Sequence, residues 1–180
     1  MIDLTSYLVA AMTAWVPLTA HAEPKDETQA RYESIARDAA AVASDASEAP
    51  LFGGPSGRAQ TALLMVAVAS LESGFKKAVD DGTRRGDHNR SVCLMQIRVG
   101  SGATSDGWTA TDLLSDRTRC LRQGLHYLRG SFNVCRGLPL ADRMSAYATG
   151  RCVEGEESSR LRVHRALDWW DTHAPPALPA

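Results

Sequence analysis

The chain has 180 residues, of which 44% are hydrophobic and 23% charged, and its formal net charge is −1. That length is enough for one domain with a real core, and the composition excludes a disordered polar tail or a low-complexity chain. The near-zero balance also excludes a nucleic-acid binder that works through bulk positive charge.

At the N-terminus, Tyr7 to Leu18 is an apolar run of signal-peptide length, and Ala20-His21-Ala22 has the small-x-small form of a cleavage site. No Lys or Arg precedes the run, Asp3 stands where positive charge belongs, and Pro17 interrupts it. Residues 1–22 therefore read either as an atypical export signal or as an amphipathic helix retained on the protein. The run is too short for a membrane span.

Residues 23–56 read as a helix and a linker. Tyr32, Ile35, Ala36, Ala39, Val42 and Ala43 recur at helical spacing over 32–43. A turn-prone stretch, Ser44 to Gly57, follows, and Ser56 and Gly57 can cap the next helix. That helix, about Arg58 to Ser73, is apolar nearly all round, which places it at the centre of a core; Gly74 is a natural stop.

Asp80 to Ser91 reads as a polar loop, Val92 to Ile97 as a short extended segment, and Gly100 to Gly107 as a second loop. Helical patterns return over Thr109–Leu114 and over Asp116–Val134, the latter with a stripe of Leu121, Leu125, Leu128 and Phe132. A short helix over Leu140–Ala148 follows. The last one, over Glu156–Trp170, carries Leu161, Val163, Leu167 and the Trp169-Trp170 pair. Residues 57–172 thus form the main domain, and the Pro-rich 173–180 is expected to be an unstructured tail. The expected fold is mainly α, a helical domain with at most a small β or extended element.

The four cysteines, Cys93, Cys120, Cys135 and Cys152, fall in the second half with no C-x-x-C pair, and no histidine stands at zinc-ligand spacing. Two disulfides in an oxidising compartment fit this pattern, with three pairings possible; no metal and no cofactor is expected. From Arg84 to Arg165, 14 arginines face 8 acids. Arg117, Arg119, Arg122 and Arg129 read as a solvated helix face, or as attraction for an anionic glycan. His126 reads as a satisfied histidine, Trp169-Trp170 as an anchor for the last helix, and Trp108 as a residue that closes the core or stacks on a sugar.

Glu72 is the anomaly. A carboxylate that ends the most apolar helix must be paired, desolvated or set on a cavity wall. Desolvation and the carbonyl-rich end of the helix both disfavour its charged form, as a general acid requires.

Three short motifs surround this residue in sequence. Glu72-Ser73, then Ser91-Val92-Cys93-Leu94-Met95-Gln96, then Ala146-Tyr147-Ala148-Thr149-Gly150 resemble, in order, the E-S, S-x-G-L-M-Q and A-Y-N-A-G motifs of soluble lytic transglycosylases. Gly86-Asp87 is separated from Cys93 by the five residues His88 to Val92, which is similar to the goose-type lysozyme branch of the same superfamily. The resemblance covers about half the chain. It implies a lysozyme-like fold and cleavage of the β-1,4 bond between N-acetylmuramic acid and N-acetylglucosamine, in a periplasmic, extracellular or phage-delivered protein. The implied partner is the glycan strand of peptidoglycan, with no nucleic acid and no membrane span, and a monomer is expected. The resemblance makes Glu72 the acid, with Ser73 shaping the site. Ser91, Met95 and Gln96 become sugar-contacting groups, Tyr147 a hydroxyl beside the acid, and Asp87 a holder of water.

Three departures stand out: Cys93 replaces a glycine, Ala148-Thr149 replace Asn-Ala, and Ile97-Arg98 stand where the goose-type pattern has a second aspartate. If Asp87 stood about 6.5–9.5 Å from Glu72, inverting hydrolysis would be possible. With Asp87 engaged by Arg84, Arg85 or Arg90, Glu72 works alone and the sugar's 6-hydroxyl attacks, which leaves a 1,6-anhydro product. The lytic outcome is the leading expectation. A hydrolytic lysozyme, a chitin-cleaving enzyme and a catalytically idle wall-binding or virion protein are the alternatives.

Overall fold

A computed structural model describes residues 3–99 and 102–174. Helix α1 (Leu4–Trp15) opens at Asp3, whose side chain accepts the Ser6 backbone N–H. The acid out of place in an export signal is thus a helix cap. Tyr7, Leu8, Ala11 and Met12 of α1 are buried. Helix α2 (Lys25–Ser44) begins seven residues earlier than the apolar spacing suggests. Pro24 precedes it and Asp26 and Glu27 fill its first turn, both favourable at a helix start.

Helix α3 (Gly57–Glu72) is buried at every position from Thr61 to Ser70, as a helix apolar all round must be. Ser56 precedes it without a side-chain capping bond, contrary to the expected cap. The helix stops at Gly74, which takes a left-handed φ of 57°. A short helix, α4 (Lys77–Asp80), leads into the polar loop and overlaps its expected start at Asp80. Strands β1 (Ser91–Val92) and β2 (Ile97–Arg98) then pair antiparallel, Ser91 with Arg98 and Val92 with Ile97. The predicted extended segment is therefore a tight hairpin.

Helix α5 (Ala110–Ser115) has a reciprocal cap between Thr109 and Asp112, and α6 (Arg117–Val134) starts on the Asp116 side chain. Leu121, Leu125, Leu128 and Phe132 are buried as a stripe. The helix expected over 140–148 is split into a 3-10 turn (Leu140–Asp142) and α7 (Ser145–Thr149). Asp142 is drawn inward by two bonds from Arg160, and Met144 is turned into the core, so the chain bends between the two pieces.

Helix α8 (Glu157–His173) buries Val163 and Ala166 and leaves Leu161 exposed. His173 belongs to α8 and stacks on Trp169, so the helix runs into the expected tail; residues 175–180 lie outside the described residues. Trp169 and Trp170 meet Trp15 and Tyr7 edge-on, which anchors α8 to α1.

The architecture is mainly α with one two-stranded antiparallel sheet among the described residues. One cluster of buried side chains runs from Tyr7 to Ala166, so segments 1–22, 23–56 and 57–172 contribute to the same core. No described helix is long and apolar enough to cross a membrane. The disulfides are Cys93–Cys120, which ties the hairpin to α6, and Cys135–Cys152, which ties the end of α6 to the segment before α8.

Three of the four α6 arginines are not on a solvated face; Arg119 stays at the surface, 3.5 Å from Asp112 and 3.3 Å from Asp116. Arg117 reaches Asp38 on α2 and Asp80 on α4, Arg122 reaches Asp45 and Glu48, and Arg129 reaches Glu48. Burial works against the charge of Arg117, but the Asp80 and Asp38 carboxylates more than offset it and push its pKa above the ordinary range. These guanidiniums lock α6 to its neighbours and are not free for a glycan.

Leu8 lies fully buried where α1 meets the core. Leu8→Ala is expected to cost about 2–5 kcal/mol, read as a lower urea midpoint with an unchanged slope. A cost under about 0.5 kcal/mol would show that α1 is not part of the cooperative core.

Candidate active site

The last turn of α3 opens on a cavity of about 1020 Å³. Glu72 stands on its wall together with Asp87, Ser91, Gln96 and Tyr147, residues brought from α3, the polar loop, the hairpin and α7. Five of the expected site residues therefore converge on one space.

Glu72 is not left alone against apolar packing. Its side chain is 19% exposed, and Arg162 of α8 donates from Nη2 to Oε1 at 2.7 Å. The guanidinium is held in turn by the Ser158 carbonyl, 2.6 Å from Nη1. Among the described residues no other hydrogen bond reaches this carboxylate, so Oε2 has no protein partner.

Asp87 forms ion pairs with Arg98 at 3.5 Å and with Arg90 at 3.8 Å, and its Oδ1 lies 3.8 Å from His88 Nδ1. Arg84 and Arg85, expected as its partners, take no part in these pairs. Arg98, part of the Ile97-Arg98 departure noted above, is thus a partner of Asp87. Asp87, His88 and Asn89 all adopt a left-handed backbone, with φ from 45° to 69°. Asp, His and Asn are the non-glycine residues that tolerate this best.

The hairpin turn is held from three sides. Cys93 takes φ of 60°, the conformation for which the resembling motif uses glycine. Its side chain is 2% exposed and bonded to Cys120, so it points into the core and does not narrow the cavity. Gln96 donates to the Cys93 carbonyl at 3.1 Å, and its carboxamide packs on Gly86, where a Cβ would come within 2.0 Å of Oε1. A side chain at Gly86 would therefore have to push the Gln96 carboxamide aside.

The Tyr147 hydroxyl donates to the Met95 carbonyl at 2.7 Å. The tyrosine clamps the hairpin to α7 and spends its proton there, not on the acid. Burial, together with the nearby Glu72 carboxylate, pushes its phenol pKa far above the ordinary range. The Met95 side chain is fully buried and its carbonyl is used by Tyr147. Ser73 is also committed: its hydroxyl donates to the Ala69 carbonyl and accepts the Phe75 N–H, closing α3, and it lines a second, smaller cavity. Ser91 is 8% exposed and paired through its backbone with Gly86.

Sequence reasoning missed Arg162, Arg98 and Asp106. Arg162 shares a helix face with buried Ser159 and Ala166, three residues before and four after, and that spacing marks it as facing inward. His126, expected only as a satisfied histidine, lines the cavity between Asp106 (2.6 Å from Nδ1) and Glu48 (3.0 Å from Nε2). Desolvation would raise the Glu48 carboxyl, but bonds from Arg129 and His126 outweigh it and keep its pKa below the usual range. Trp108 packs against the core and lines neither cavity. All four cysteines are in disulfides and cannot ligate metal.

Comparison of the chain with protein-family models, curated proteins and solved structures returned no match.

Helix α8 presents Arg162 from a start capped by Glu156, whose carboxylate accepts the Ser158 and Ser159 N–H groups. Desolvation would raise the pKa of this carboxyl, but the bonds from Ser159 and Ser158 bring it down from 4.5 to about 2. A folded-state value below the unfolded one means that the cap stabilises fully above pH 4.5 and is lost as pH falls toward 2. Glu156→Ala is expected to lower Tm by about 2–4 °C at neutral pH. That difference from the wild type should fade over the acidic window in a series of melts.

Proposed function

We propose that the protein is a peptidoglycan-cleaving muramidase that works as a lytic transglycosylase, with Glu72 as the acid and then the base. The observation that carries this reading is the meeting of Glu72, Gln96 and Tyr147 around one cavity, although they lie in three separate stretches of the chain. They are the residues on which the motif resemblance rests. The cavity has room for several sugar rings and is lined by groups that hydrogen-bond hydroxyls and amides.

In this mechanism a protonated Glu72 gives its hydrogen to the bridging oxygen. The bond from that oxygen to C1 of muramic acid breaks, and the N-acetylglucosamine end leaves as an alcohol. The 6-hydroxyl of the same muramic acid then attacks C1 and returns its proton to Glu72. The product is the 1,6-anhydro sugar, and no water is consumed. Oε2 is the oxygen free for this exchange, while Arg162 holds Oε1 and orients the carboxyl. Gln96, anchored on the Cys93 carbonyl, faces the cavity as a polar contact for a sugar ring. The pairing of Asp87 with Arg98 and Arg90 favours the lytic outcome over hydrolysis, since a carboxylate so engaged is a poor holder of attacking water. Two disulfides fit an exported or phage-delivered protein.

One observation favours a second reading. The ion pair between Glu72 and Arg162 would also suit a catalytically idle groove that binds glycan without cutting it.

Clearing of purified cell walls separates the two. Glu72→Gln is expected to melt near the wild type and to lose at least about 100-fold in rate, the minimum for a lost general acid. Mass spectrometry of the wild-type digest is expected to find ends lighter by one water than hydrated reducing ends. Equal clearing by both proteins would refute Glu72 as the acid, no clearing by the wild type would refute the enzyme, and hydrated ends alone would refute the lytic route.

A further inference from the structure

A second cavity, of about 410 Å³, lies beside the first, and the two share Glu72 and Gln96 on their walls. Its charged lining differs in kind. In the larger cavity each acid meets a base: Glu72 with Arg162, Asp87 with Arg98, Asp106 with His126. The smaller one is lined by Lys76, Arg84 and Arg85, all exposed, and none of them forms an ion pair among the described residues. Its one acid, Glu72, is already engaged by Arg162.

What sets these three cations apart is that they line one concave space beside Glu72. The arginines of α6 and α8 that touch acids are spent on holding helices together. The segment that carries Arg84 and Arg85 is fixed without them: Asp81 accepts from Thr83, and the Arg84 N–H bonds the Ala78 carbonyl. The Asp81 carboxylate, the acid that most closely precedes the two arginines in sequence, is occupied by Thr83 and does not line the cavity. Three uncompensated cations around a small concave space attract a compact anion.

We propose that this smaller cavity receives the carboxylate-bearing peptide stem of muramic acid, and so makes the site selective for peptide-substituted strands over neutral glycans. The proposal rests on the muramidase reading above. The stem leaves the lactyl group on the same ring whose C1–oxygen bond Glu72 would open, so its carboxylates fall beside Glu72. An N-acetylglucosamine polymer has no anion to offer there.

The test compares kcat/KM on peptide-bearing strands with that on strands stripped of peptide, with the lactyl carboxyl capped as a neutral amide. The wild type is expected to prefer the peptide-bearing strands by about tenfold at low salt, the worth of a few exposed ion pairs. In the combined variant Lys76→Gln, Arg84→Gln, Arg85→Gln, checked for an intact melt, the ratio is expected to fall close to one. The same ratio in both proteins would overturn the proposal.

A second readout does not depend on cleavage. Glu72→Gln protein is titrated with N-acetylmuramoyl dipeptide, and the amide signals of Lys76 and Gly86 are followed by NMR. Saturable shifts that the triple variant abolishes support the cavity even if the wild type cuts nothing, which would sink only the muramidase reading. No shift, or shifts of equal size with inorganic phosphate, would overturn the stem assignment even in an active enzyme.

Discussion

The structure depends on burying α3 along its length. A helix with ten consecutive buried residues needs neighbours on every side, and α1, α2, α6 and α8 supply them. Packing on all sides leaves only the two ends of the helix to meet solvent, and the C-terminal one carries the acid. Glu72 sits there, and the carboxylate is thereby fixed on the wall of a cavity and not at the tip of a mobile loop. Rigid elements hold a reacting group more closely than loops do. The same constraint explains α1, since without its four buried residues one flank of α3 and α2 would face water.

The hairpin opposite Glu72 is too short to hold its own shape, with two residues in each strand. Three tethers take the place of a sheet: the bond from Cys93 to Cys120, the hydroxyl of Tyr147 on the Met95 carbonyl, and Gln96 laid against Gly86. Each also accounts for a departure or a match in the motifs. Cysteine in the left-handed position costs about 1–2 kcal/mol relative to glycine, and the covalent link to α6 constrains the turn that glycine would leave loose. Tyr147 and Met95, expected as substrate contacts, are first of all the clamp between the hairpin and α7.

Electrostatics divides the surface around Glu72 into two regions. The large cavity is balanced pair by pair, which suits a neutral polymer of hydroxyls and amides. The small one is cationic. This division follows from how the arginines are spent: α6 and α8 use theirs in half-buried pairs across helix interfaces, where losing a partner is costly. Arg84 and Arg85 stand in an exposed loop and do no such work.

Much of the fold was legible in the residues themselves. Apolar spacing marked α2, α3 and α6, and Asp116 and Gly74 marked where α6 begins and where α3 ends. The count of cysteines pointed to two bridges, and an acid at the end of an apolar helix singled out Glu72. These are local properties, set by period, cap and turn chemistry within a few residues. Tertiary structure alone decided which cysteines pair, that Arg162 reaches Glu72 across 90 positions, that Arg98 holds Asp87, and that Leu161 faces out while Arg162 faces in. It also decided that Arg117, Arg122 and Arg129 pair with acids across helix interfaces. Spacing along a chain carries no record of such partners, because a charge or a thiol can be satisfied by any complementary group the packing brings within reach.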